Sequence, residues 1–210
     1  MPLIVGIDEV GCGALAGPVV AAACWLDPCG IEEHRCFPFI RDSKTLSEAK
    51  REEISAFLSE LPPAQCRFAL GKASREEVET LNVRQASLLA MVRAYRALEI
   101  SADLVLVDGT QVPSLGEVSV QAIIRGDAQH KSISAASILA KVHRDREMRR
   151  LHASFPAYGW DQNKGYGTRA HCAAIQAQGL SPHHRRTFVS NVDRWGARAE
   201  KDDTVSSRTS

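Results

Sequence analysis

Apolar positions in the first quarter of the chain come in short unbroken runs. Leu3-Ile4-Val5-Gly6-Ile7 stops at Asp8-Glu9, and Gly17 to Leu26 is bounded by glycine and by Asp27-Pro28. Both read as buried strands. The glycine-rich stretch between them, Val10 to Ala16, predicts a tight connection and hence a hairpin. Polarity then changes period. Ile54, Phe57, Leu58 and Leu61 form an i, i+3, i+4, i+7 stripe, predicting a helix over Ser47 to Leu61 that Pro62-Pro63 ends. Arg67 to Ala73 is a third strand. Ser74-Arg75-Glu76-Glu77 has capping-box spacing and opens one long amphipathic helix through Val78, Leu81, Leu88, Leu89, Val92 and Tyr95. Leu104-Val105-Leu106-Val107, ending at Asp108-Gly109, has the uninterrupted apolar character of a central strand. Val118 to Ile124 is a further strand that finishes at Arg125-Gly126-Asp127. Ser134 to Leu151 reads as a second long helix, Phe155 to Gly167 as irregular, and Thr168 to Gln178 as a short helix closed by Gly179. A hairpin, a third strand and then strands separated by helices describe an α/β protein with a mixed sheet.

Composition narrows the class without changing that picture. The 210 residues are 44% hydrophobic and 24% charged, values of an ordinary globular chain. No apolar run approaches the 18 or so residues of a membrane span, and the N-terminus has no basic segment ahead of its apolar run, so the expected address is the cytoplasm. The six cysteines have no metal-type spacing and read as free thiols. Beyond Trp195 the chain turns small and polar, and residues 197 to 210 are expected to form a disordered tail. Net charge is only +1, yet Lys164 to Arg186 holds four Lys or Arg, three His and no acid. That basic half suits phosphate binding or, equally, a solvated helix face.

The acids are the candidate chemistry. Three strand-like segments, far apart in the chain, end in carboxylates at Asp8-Glu9, Asp108 and Asp127. Taken singly, each is an ordinary turn residue, as Asp-Gly often is. Taken together they can converge at one edge of a sheet, where like charges raise one another's pKa unless a hard divalent cation neutralises them. Oxygen-only ligands point to Mg2+ or Mn2+ rather than zinc. Neighbouring strand residues face opposite ways, so Asp8 and Glu9 share one site only if the strand ends or twists there, a departure that Gly11 makes easy.

With those residues in view the chain resembles the ribonuclease HII family, over roughly residues 3 to 193. The resemblance rests on Gly6-Ile7-Asp8-Glu9-Val10-Gly11 with Leu15 to Ala22, on Asp42-Ser43-Lys44 with Leu46 and Lys50-Arg51, and on Leu106-Val107-Asp108-Gly109. It continues through Gly126-Asp127, Ser134 to Val142 with Arg144-Asp145, Gly165-Tyr166-Gly167-Thr168, His171, and Pro182 with His184-Arg185 and Phe188. It implies a ribonuclease H-like fold: a mixed five-stranded sheet flanked by helices (residues 1–153) with a small C-terminal helical extension that binds substrate (154–196). It implies an endonuclease that cuts RNA in RNA/DNA hybrids and single ribonucleotides embedded in duplex DNA, leaving 3′-hydroxyl and 5′-phosphate ends, in ribonucleotide repair and primer removal. Asp8, Glu9, Asp108 and Asp127 would be the catalytic metal-binding carboxylates for Mn2+ or Mg2+. Two ions are expected with substrate, both held by Asp8 and Asp108, and the chain is expected to be a monomer.

The same resemblance places Tyr166 against a sugar at the RNA-DNA junction. It assigns phosphate contacts to Lys44, Lys141, His184 and Arg185, and leaves Arg144 and Asp145 as a helix-surface pair. Here the sequence departs from the family in one place. The family's Gly-Arg-Gly loop is Gly11-Cys12-Gly13. Main-chain groups of that loop are expected to recognise the ribose 2′-hydroxyl, which does not depend on the side chain. The lost guanidinium, worth roughly 1.5 to 3 kcal/mol as a charge-assisted bond, predicts a 10- to 100-fold weaker action on single embedded ribonucleotides. Two further expectations follow from the substitution: Cys12 is an exposed reactive thiol, and the alternative function is a hybrid-binding protein with weak catalysis.

Overall fold

The computed structural model describes residues 2–189 apart from 28, 30 and 42. The tail expected at 197–210, the last residues of the 154–196 extension and Asp42 lie outside the described residues. Strand β1 (Ile4–Val10) pairs antiparallel with β2 (Val19–Leu26), which pairs antiparallel with β3 (Cys66–Ala73). On its other edge β1 pairs parallel with β4 (Leu104–Asp108), and β4 with β5 (Ser119–Ile123), giving the order β3-β2-β1-β4-β5. The expected mixed five-stranded sheet is present.

The hairpin follows from its sequence: β2 is almost entirely buried small and branched residues, flanked on both sides by paired strands. Helix α1 (Glu48–Glu60) starts on the Ser47 side chain, which accepts from the Lys50 amide, and ends before Pro62. The long helix expected from Ser74 is two helices. The Ser74–Glu77 capping box forms as expected and opens α2 (Arg75–Leu81), but Asn82, at φ 67°, turns the chain before α3 (Val83–Leu98). Asn82 is held at this positive φ with ψ 161°, and its Oδ1 accepts from the amides of Arg84 and Gln85, capping α3. The second long helix, α4 (Lys131–Ser154), begins three residues earlier than expected.

Alternation along β1 assigns its two faces. Val5 and Ile7 join Ala21 and Ala23 in a core against Met91, Ala94 and Leu98 of α3. Val20, Ala22 and Cys24 form the opposite core with Ile54 and Leu58 of α1 and Ala135, Ile138 and Leu139 of α4. Gly6 lies under α4 so closely that a Cβ there would strike the backbone of Ser132 and Ile133. This contact brings α4 directly onto the strand that carries Asp8.

After α4 the segment expected to be irregular contains a 3-10 turn (Pro156–Tyr158) and a short helix α5 (Trp160–Asn163). Helix α6 (Arg169–Gln178) is capped by Thr168 and closed by Gly179, and α7 spans Arg186–Val189. Tyr158, Trp160, Cys172, Ile175 and Val189 pack in a third core with Leu15, Ala16 and Met148, so this extension is fastened to the hairpin connection and to α4.

Candidate active site

Ile7 pairs with Val107, so the next residues on the two central strands, Asp8 and Asp108, stand side by side. Asp127 arrives differently from the expectation. It lies in a 3-10 turn (Gly126–Ala128) beyond β5 and just ahead of α4, not at a strand end. Gly126 makes the turn possible: its amide donates to Asp108 Oδ1 at 2.7 Å, and a Cβ on it would collide with Ile133 and Ile123. Ser134 Oγ donates to the Asp127 carbonyl at 2.6 Å. One ligand oxygen from each of Asp8, Asp108 and Asp127 lies within 4.8 Å of the others.

β1 also runs through Asp8 and Glu9 to Val10 instead of stopping at the acids. The two carboxylates therefore leave on opposite faces. Asp8 faces α4 and lines the same cavity as Ser137, and its Oδ1 accepts from the Glu9 amide at 2.7 Å. Glu9 is not part of the close group of three; it borders a recess shared with Cys12, Ser87 and Met91 on the α3 side. Both acids nevertheless line one cavity of about 270 Å3 with Asp108, Ser43, Lys44, Ser137, Lys141 and Tyr166.

Burial is the main force on these acids. It pushes the Asp8 carboxyl well above the usual range, with the charges of Glu9 and Asp108 adding to the rise. Glu9 is raised by burial first and then by Asp108. Carboxylates crowded in this way favour a compensating cation, and an all-oxygen donor set fits a hard divalent ion.

Of the expected substrate residues, Lys44 is exposed at the cavity, and Lys141 is half-buried with Nζ 2.9 Å from Asp145. The Tyr166 ring lies 5.6 Å from Lys141 Nζ and 5.2 Å from the Arg144 guanidinium. Four expectations need correction. His184 and Arg185 are 1% and 0% exposed, so neither offers a surface to phosphate. Arg185 instead donates inward, from Nε to the Gly17 carbonyl and from Nη1 to the Cys12 carbonyl, both at 3.0 Å. Arg144 and Asp145 are not a helix-surface pair. Arg144 is wholly buried and donates to the carbonyls of Pro18, Ala16 and Lys164, while Asp145 is buried beside Lys141. Cys12 is half-buried, and burial together with the Glu9 charge pushes its thiol up to about 12, leaving essentially no thiolate at neutral pH. The free-thiol reading itself holds for all six cysteines.

The glycine loop is thus braced from within by two arginines. Gly11, at φ 94°, passes so near Arg144 that a side chain there would displace the guanidinium. Sequence reasoning missed this, and it missed Ser137, which lines the cavity with Asp8 and stands 2.8 Å from Ser43 Oγ. The available signal was spacing: Ser137 and Lys141 are four apart on α4 and share a face.

The model of a family described as Ribonuclease HII matches residues 5–191. A protein named Ribonuclease HII from Dechloromonas aromatica (strain RCB) is 48% identical over 186 residues, covering 89% of this chain and 90% of that one. Among solved structures, the ribonuclease H2 of Pyrococcus horikoshii OT3 is similar with a TM-score of 0.73 at 26% identity, over 94% of this chain and 99% of that one. A Bst ribonuclease HIII in complex with Mn2+ shares the fold at 20% identity, with a TM-score of 0.67 over 95% of this chain and 71% of that one.

Proposed function

The chain belongs to the ribonuclease HII family and is a ribonuclease H endonuclease; from that premise we propose that it cuts the RNA strand of RNA/DNA hybrids and single ribonucleotides embedded in duplex DNA. The observation that carries this reading is the convergence of Asp8, Asp108 and Asp127, the first two of which line a cavity that also presents Lys44, Lys141 and Tyr166. Asp8, Asp108 and Asp127, with Glu9 at the rim, would hold two divalent ions, Mg2+ or Mn2+. Such ions, when bound, activate a water and stabilise the leaving oxygen, giving 3′-hydroxyl and 5′-phosphate products.

The protein's own groups orient the substrate around that point. The Gly126 and Glu9 amides fix the directions of the Asp108 and Asp8 carboxylates. Lys44 and Lys141 supply positive charge to flanking phosphates. Tyr166 presents its ring to the sugar at the junction. Arg185 turns the Cys12 carbonyl inward, and because a trans peptide sets N–H opposite C=O, the Gly13 amide is directed away from Arg185 and toward a 2′-hydroxyl.

Residues 1–153 would form the catalytic unit and 154–196 a substrate-binding extension. A role in removing misincorporated ribonucleotides and primers from the genome, in the cytoplasm and as a monomer, is part of the same proposal. No helix among the described residues is long and apolar enough to cross a membrane.

The test is Asp108→Asn, assayed with a labelled RNA/DNA hybrid. Cleavage should fall at least about 1,000-fold, on the scale of losing a group that stabilises transition-state charge, while hybrid binding in Ca2+ stays within a few-fold. Retained cleavage would remove the carboxylate group from the mechanism.

A further inference from the structure

Beneath Tyr166 lies a chain of buried polar groups whose hydrogen-bond directions are determined by their donors. The Ser181 amide donates to His184 Nδ1 at 2.9 Å, so that nitrogen carries the lone pair and His184 Nε2 carries the hydrogen. His184 Nε2 lies 3.1 Å from His171 Nε2, which also accepts from Trp160 Nε1 at 3.0 Å, because an indole N–H only donates. His171 must then hold its hydrogen on Nδ1, which points at the Tyr166 carbonyl 2.9 Å away. His171 Nε2 has one lone pair, which the Trp160 and His184 hydrogens share, and both imidazoles are neutral. Burial lowers both rings, His184 to about 4, in agreement with that order. His171 is 0% exposed and His184 1%.

The far end of the chain is the functional one. Tyr166 O also accepts from the Thr168 amide, and the Tyr166 amide donates to Asn163 O, so the peptide on either side of the tyrosine is tied down. Gly165 O accepts from the Leu15 and Ala16 amides, and Ala16 bridges to His184. The same two histidine segments therefore fix the height of the Tyr166 backbone relative to the glycine loop.

We propose that His171, held in one tautomer by His184 and Trp160, is the positioning residue for Tyr166, and so sets how strongly the enzyme acts on a single embedded ribonucleotide. The inference rests on the reading of Tyr166 as the group that meets the sugar at the junction. A misplacement of about 1 Å costs up to about 100-fold in rate, and a tyrosine that abuts the sugar matters most where one ribonucleotide gives the only recognition. Continuous hybrid offers overlapping registers and should respond less.

Two conservative variants separate positioning from mere core stability. In His171→Asn the side-chain amide nitrogen falls near the place of Nδ1 and keeps a donor toward Tyr166 O. In His171→Gln the polar end falls near Nε2, so the contact with Trp160 and His184 is kept and the donor to Tyr166 is lost. Both disturb a buried network, and thermal unfolding of each reports that disturbance. Single-turnover rates are read on a duplex with one ribonucleotide and on a continuous hybrid. His171→Gln should lower the ratio of the two rates about 10-fold, and His171→Asn should restore most of it, whichever variant is the less stable. In a Tyr166→Ala background, His171→Gln should change the ratio no further. Ratios that follow the unfolding midpoints, or a further loss in the Tyr166→Ala background, would overturn the positioning role. If Tyr166→Ala itself leaves the ratio unchanged, the reading of Tyr166 falls and this inference with it, whereas a wild-type protein that cuts neither substrate would refute the proposed function instead.

Discussion

Asp8 shows how a candidate metal ligand is held at a cost to the fold. It is 7% exposed, it sits beside Asp108, and its carboxyl is raised by burial and by its neighbours' charge. An acid raised in the folded state favours folding while protonated, and that contribution is lost as pH rises through the folded pKa. Asp8's own contribution therefore grows as pH falls from 7, but His184, kept neutral and held down to about 4 by burial, pulls the other way as pH falls through the ordinary histidine range, so the difference between wild type and an Asp8 variant is what isolates it. Acids such as Glu77, held down to about 2 chiefly by its bonds with Arg93, pull the same way as His184 below the ordinary carboxylate range. Asp8→Asn should stabilise the metal-free protein at pH 7 and raise its unfolding midpoint, and that advantage over the wild type should shrink as pH falls. Calorimetry without divalent ions checks this, and an unchanged or lowered midpoint would contradict it. Cys12 belongs to the same scale. Its carbonyl is held by Arg185 and its thiol lies within 3.7 Å of Glu9 Oε1. Cys12→Arg should raise cleavage at a single embedded ribonucleotide about 10-fold or more, the low end of one charge-assisted hydrogen bond, and leave continuous hybrid within about 3-fold. No gain at the single ribonucleotide would mean that the inward arginines already supply the whole brace.

Among the elements, α2 and α3 mark the limit of pattern reading. The apolar spacing from Val78 to Tyr95 is nearly continuous, so periodicity alone joins the two helices; what separates them is one asparagine whose side chain caps the second while its backbone turns at φ 67°. Asn82→Ala removes the cap while leaving a Cβ at positive φ, and should cost about 1 to 2 kcal/mol. Asn82→Gly loses the cap but accepts the turn, and should cost less, as urea unfolding would show. Equal costs would mean that the turn carries no strain. Strands β1, β2 and β4 were legible because each is an apolar run closed by glycine or acid. The direction of Glu9 was not, since β1 continues three residues past Ile7 and alternation sends Glu9 toward α3. Asp127 was found as a candidate but for the wrong element, because a strand end and a 3-10 turn after it share the sequence Gly-Asp.

At the scale of the molecule, the carboxylate group could be read from sequence because charge at the ends of apolar runs has few innocent explanations. The braces could not. Arg144, His171, His184 and Arg185 look like surface charge in a linear chain, and only the packing of the C-terminal extension on the hairpin connection turns them inward. Buried arginines of this kind satisfy carbonyls that a glycine-rich loop leaves without ladder partners: Arg144 alone serves three, on Ala16, Pro18 and Lys164. The extension thus reaches the chemistry through the loop it supports, and the altered Gly11-Cys12-Gly13 sequence sits on an intact foundation. The central claim is that this foundation and the carboxylates suffice for cutting at a lone ribonucleotide. The most direct measurement is cleavage of a labelled DNA duplex carrying one ribonucleotide, beside a continuous RNA/DNA hybrid, in Mg2+ and in Mn2+. The account predicts cutting of both, with the single ribonucleotide cleaved on its 5′ side; cutting of the continuous hybrid alone, or of neither, would contradict it.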